Sequence, residues 1–211
     1  MGEAGYLCVR YTAKAPNLSF RVRCFRAVQE ATRRHPEAAN VKTWIAIGHS
    51  MGARVSSAVA FLSDCHIDAC IFLSYPLHPP KQEETLRDLP LTDLTQPLLF
   101  VRGTRDSMSS PAPFEQVVGR LAASRVLVHT VEGGDHALKV SKTFADNAEA
   151  LEVVNTALLD FVMSIVARSP DLNHTTKLVG AGREVTASEG NKQMRQKCSA
   201  SPKRRVKRKC A

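Results

Sequence analysis

The sequence has no long hydrophobic run, no targeting leader and no paired-cysteine motif. The first absence excludes a bilayer-spanning helix, which needs about 20 consecutive, mostly apolar residues. The start, "MGEAGYLCVRY", lacks the basic and apolar regions of a secretory signal. Tyr6 occupies the place where the myristoylation pattern requires Ser or Thr, and "KRKCA" places Cys210 wrongly for prenylation. The six cysteines, Cys8, Cys24, Cys65, Cys70, Cys198 and Cys210, form no C-x-x-C pair and no zinc spacing. Free thiols in a reducing compartment, cytoplasmic or nuclear, are therefore expected, with no membrane partner.

Net charge is also absent from most of the chain. Residues 167–211 hold 12 Lys and Arg against 3 Asp and Glu, which leaves 17 of each sign in residues 1–166. The whole excess of +9 thus belongs to the C-terminal segment. Electrostatics divides the chain into a folded domain, 1–166, and a disordered basic tail, 167–211. Within the tail, "SPKRRVKRK" (201–209) packs six basic residues behind a proline. Such a run reads as an address for an import receptor or as a polyanion-binding patch; a charge run that only keeps the protein soluble is the plainer reading. The tail contains no aromatic residue, which argues against base stacking.

The body alternates short apolar runs with amphipathic ones. "YLCVRY" (6–11), "TWIAI" (43–47), "ACIFL" (69–73), "PLLFV" (97–101) and "RVLVHTV" (125–131) read as strands. Between them, 21–35, 52–64, 114–123 and 147–166 read as helices; Val22, Phe25, Val28 and Ala31 show the helical spacing. Continuous apolar strands separated by helices predict a parallel sheet of about five strands, covered on both faces. A loop rich in proline and charge (74–96), with Tyr75, Leu77, Pro79 and Pro80, is expected either to cap a pocket or to cross the surface.

"WIAIGHSMGAR" (44–54) places Ser50 in a G-x-S-x-G pattern between a predicted strand and a predicted helix. A serine on so sharp a turn is forced into a strained conformation. Gly48 and Gly52 let strand and helix pass closely, and the hydroxyl stands exposed above the sheet. The plain alternative is a glycine-flanked turn that happens to contain serine. Serine is a weak nucleophile and needs a base oriented by a third group. "RGTRD" follows one strand and ends in Asp106; "EGGDHALKV" follows the next and contains His136. The order Ser50, Asp106, His136 puts an acid and a base on the same sheet edge as the nucleophile. Asp106 as a helix N-cap and His136 as an ordinary loop histidine are the competing readings. Asp135 is the poorer acid, because adjacent side chains point apart, and His49 is a wall residue beside the turn. No metal is expected at His49, Asp106 and His136, which lack ligand spacing, and no cofactor is expected.

"GHSMGAR", "SYPLHPPKQ", "LLFVRGTRD", "EGGDHALKV" and "RYTAKAPNLSFRVRCFRAVQEA" together resemble the α/β-hydrolase family of testis-expressed protein 30, which includes the hydrolase-like domain of subunit 3 of the nonspecific-lethal histone acetyltransferase complex. The resemblance covers residues 6–166. It implies Ser50 as nucleophile, Asp106 as acid, His136 as base and the Met51 amide as an oxyanion donor. Arginine often precedes the nucleophile in that family; here it is His49. The resemblance also implies three strands ahead of "YLCVRY" and a loop carrying a second oxyanion donor, so the sequence is expected to be N-terminally incomplete. On that reading either residues 6–11 shift to pair with 43–47, giving five strands side by side in chain order, or 43–47 becomes a bare edge strand. The first is expected, because unpaired backbone groups are costly, with a marginal fold in solution. Two functions fit: a serine hydrolase acting on a small acyl substrate (ester, thioester or amide) through an acyl-enzyme, or a non-catalytic interaction or scaffold module.

Overall fold

The computed structural model describes residues 6–14 and 17–168, together with the backbone of 183–185. Helix α1 (Leu18–Arg33) starts where Asn17 caps it, the side-chain oxygen accepting from the Phe20 amide at 2.8 Å. Strand β1 (Ile45–His49) runs directly into helix α2 (Met51–Ala60), followed by β2 (Ala69–Leu73) and β3 (Leu98–Gly103). Helix α3 (Pro111–Val118), β4 (Val126–Val131) and the long helix α4 (Phe144–Val166) complete the repeat. Strands β1 to β4 are parallel and lie side by side in chain order.

Period-two alternation along the central strands builds two cores. Cys70, Phe72, Leu98 and Phe100 face one layer with α1, α2 and α3, while Ala69, Ile71, Leu99 and Val101 face the other with Phe161 and Val162 of α4. Phe72, Phe100 and Phe161 are fully buried; each contributes about 1.5–3 kcal/mol by leaving water. Burial pushes the Cys70 thiol far up, so it is an inert core group rather than a reactive one. Cys8, Cys24, Cys65 and Cys70 are all unpaired. Among the described residues no helix is long and apolar enough to cross a membrane.

Two expectations about the sheet are corrected. Residues 6–11 are not a strand and do not pair with β1. Tyr6 is held in the α4-side core, and Tyr11 meets the Phe25 ring edge-on at 5.9 Å. The segment and β1 line a common cavity of about 300 Å³, which also touches Phe25, Val28 and Val162. Anchors at both ends therefore outweigh the backbone pairing that the apolar sequence suggested. Consequently β1 is the end strand of the described sheet, with Ile47 exposed on it. The fifth strand is instead β5 (Arg183–Val185), antiparallel to β4 at the other end. Apart from Ala167, Arg168 and β5, the segment read as a basic tail lies outside the described residues, as does 201–209.

The loop after β2 is neither a simple cap nor a surface crossover at its start. Tyr75 and Leu77 are in the core, and the Tyr75 hydroxyl donates to the Arg87 carbonyl at 3.0 Å. His78 is fully buried yet satisfied: Nδ1 donates to the Pro79 carbonyl at 2.9 Å and Nε2 accepts from the Ser110 amide at 3.0 Å. Those bonds fix the ring's orientation and tie this loop to the turn after β3.

Candidate active site

Four parallel strands end on one edge, and the chain there supplies Ser50, Asp106 and His136. Ser50 follows β1 with φ 53° and ψ −116°, a conformation a side chain rarely adopts. Its amide donates to the Leu73 carbonyl at 2.9 Å, fastening the turn to the end of β2. A serine at a helix start ordinarily caps it. Ser50 makes no such cap bond; its hydroxyl lies 2.8 Å from His136 Nε2. Met51 opens α2, so its amide has no carbonyl four residues back within the helix.

Gly48 is required sterically. A methyl group there would stand 2.2 Å from the Gly52 carbonyl carbon and oxygen and 2.5 Å from the Ala53 nitrogen. The same need does not exist at Gly52, where a methyl group would meet nothing within 4 Å. Strand and helix do pass closely, but the contact falls on the first glycine alone.

Asp106 lies three residues beyond β3, its carboxylate wholly out of solvent. Both oxygens are 2.9 Å from His136 Nδ1, and Oδ1 also accepts from the Met108 amide at 2.9 Å. It does not cap α3; Ser110 holds that position. With Nδ1 donating to a carboxylate, Nε2 of a neutral ring is free to accept from the serine hydroxyl. Asp135 organises its own loop instead, accepting from the Ala137 and Lys139 amides at 2.8 and 2.9 Å. The Lys139 amide first, and the Ala137 amide with it, hold the Asp135 carboxyl below the usual carboxylate range. The His49 Nε2 donates to the His136 carbonyl at 3.0 Å. The 300 Å³ cavity beside β1 is lined by neither Ser50 nor His136.

Several residues of the site escape a reading by motif. Arg102, the last-but-one residue of the apolar run "LLFVRG", is buried under the Asp106 turn, donates to the Ser109 carbonyl and stacks 4.5 Å from the Phe114 ring centre. Burial pulls its guanidinium below the usual range, and the negative charge of Asp106 opposes that. A charge inside an otherwise apolar strand was the only signal for it. Gly103 allows the β3 turn to meet the His136 loop: a methyl group there would stand 2.1 Å from the Gly134 carbonyl oxygen.

Comparison with known proteins agrees with this architecture. The chain aligns with Est1E from Butyrivibrio proteoclasticus with a TM-score of 0.55 at 17% identity, over 72% of each chain. BpoC from Mycobacterium tuberculosis H37Rv gives 0.53 at 13% identity, over 72% of this chain and 76% of that one. An alpha-beta serine hydrolase homologue from Coxiella burnetii is 22% identical with a TM-score of 0.47; 61% of this chain aligns, spanning 56% of that protein's length. The likeness to Est1E and BpoC, at such identities, speaks to the fold. The model of the alpha/beta hydrolase domain matches residues 12–163, most of the chain, and the chain therefore belongs to the α/β-hydrolase family.

Proposed function

We propose that the chain is a serine hydrolase of esters, thioesters or amides, of the subgroup resembling testis-expressed protein 30. The observation that carries this reading is the continuous line of contacts from Ser50 Oγ to His136 Nε2 (2.8 Å) and from His136 Nδ1 to Asp106 (2.9 Å). His136 takes the hydroxyl proton as Ser50 Oγ bonds to the acyl carbon. The carbonyl π-electrons move to oxygen, to which the Met51 amide is assigned as donor. When the tetrahedral adduct collapses, the bond to the leaving group breaks and His136 returns the proton to that group. Water then repeats the sequence on the acyl-serine and releases the acid. Asp106, bonded to Nδ1, compensates the transient imidazolium, a role its water-free position strengthens.

A fluorophosphonate probe tests the reading. Covalent labelling of wild-type protein on the peptide containing Ser50, absent from Ser50→Ala, is the expected result. Folded wild-type protein that resists the probe would overturn it, and is what a non-catalytic scaffold would give.

We further propose a nuclear destination, carried by the six basic residues of 201–209 and an import receptor that reads them. Residues 199–211 fused to a cytosolic reporter are expected to concentrate it in the nucleus. A reporter that stays evenly distributed removes the proposal.

A further inference from the structure

His136 sits in the loop 132–140, and a triad is only as well aligned as the loop that carries its base. Two consecutive residues after β3, Thr104 and Arg105, fasten that loop. Thr104 Oγ1 accepts from the Gly133 amide at 2.8 Å, and the Thr104 amide donates to the Val131 carbonyl at 3.1 Å. The Arg105 amide donates to the Gly134 carbonyl at 2.8 Å. The Arg105 side chain then grips the loop at both ends: Nε donates to the Gly133 carbonyl at 2.6 Å and Nη2 to the Val140 carbonyl at 3.2 Å. His136 lies between those two carbonyls in the chain, and Asp106 is the residue next to Arg105.

We propose that Arg105 is a positioning residue of the site, its forked guanidinium closing the 133–140 loop and so setting the register of His136 against Asp106. The inference rests on the hydrolase reading for its catalytic consequence, though not for its geometry. A planar fork with donors in fixed relation sets the spacing of two carbonyls seven residues apart; a lysine ammonium, three donors on one nitrogen at the end of a flexible stem, does not. Arg105 is exposed and outside both cores, so replacing it leaves the packing intact.

Arg105→Lys keeps the charge and removes the fork. Expected is a fall in kcat and in the fluorophosphonate labelling rate by about tenfold to a hundredfold, with KM unchanged, as for a displaced catalytic group. The second measurement does not depend on turnover: the downfield proton resonance of a histidine Nδ1–H bonded to a carboxylate should be present in wild type and broadened or lost in Arg105→Lys. Arg34→Lys, on the surface of the chain just after α1, serves as the charge-conserving control and should change neither quantity. If Arg105→Lys keeps the wild-type kcat, labelling rate and resonance, the positioning role is wrong. If wild-type protein resists the probe, the hydrolase reading fails, while the resonance still decides whether Arg105 holds the loop.

Discussion

Ser50→Ala and His136→Ala are each expected to reduce turnover of an activated ester to the level of the uncatalysed reaction plus binding, and Asp106→Asn to lower kcat by about four orders of magnitude. The double variant Ser50→Ala/His136→Ala should be no worse than either single one, because the two groups act as a unit. The geometry makes these clean substitutions. Ser50→Ala removes only the hydroxyl 2.8 Å from His136 Nε2, since Ser50 makes no cap bond to α2 that the fold could miss. Asp106→Asn retains an oxygen for the Met108 amide, which sits 2.9 Å from Oδ1. What it loses is the second carboxylate oxygen and the charge, and its amide offers His136 Nδ1 a donor in place of an acceptor. The imidazole would then turn its other tautomer toward Ser50. Steady-state kinetics on the wild type and the four variants, with melting curves alongside, checks this. Wild-type turnover in Ser50→Ala would show that the serine is not the nucleophile.

The meeting of Ser50, His136 and Asp106 was legible because the pattern that brings them together is written locally. A serine between glycines at a strand-to-helix junction, an acid just after one strand and a histidine just after the next can be read without knowing how the strands pair. The parallel order of β1 to β4 follows from the same alternation. What stayed hidden is what depends on distant partners. "YLCVRY" has the composition of a strand, yet its fate is decided by where Tyr6 and Tyr11 dock, and the Tyr11 partner, Phe25, is on another element. Arg102 and Arg105 look alike in "RGTRD", yet one is buried against Phe114 and the other reaches carbonyls 28 and 35 residues away. Side-chain to backbone bonds of that kind leave no period in a sequence. Gly48 and Gly52 likewise look equivalent on paper, and only the packing tells them apart.

That difference gives the second large expected effect. Gly48→Ala should destabilise the protein by at least about 3 kcal/mol, the upper end for overpacking, because the atoms in the way are backbone on the first turn of α2 and cannot swing aside as a side chain would. For a chain of this size that corresponds to a melting temperature lower by roughly 6–12 °C. Gly52→Ala is the matched opposite. A methyl group there meets nothing, and alanine is favoured over glycine inside a helix by up to about 1 kcal/mol, so its melting temperature should equal or exceed that of wild type. The two variants also separate stability from placement of the nucleophile. Any relief of the clash at Gly48 must move α2 away from β1, and Ser50 lies at the joint between them, 2.8 Å from a histidine that the sheet edge holds in place. Gly48→Ala should therefore lose fluorophosphonate labelling even at temperatures where circular dichroism shows it folded. A Gly48→Ala protein that melts with wild type and labels at the wild-type rate would mean that strand and helix do not pass at the distance seen here.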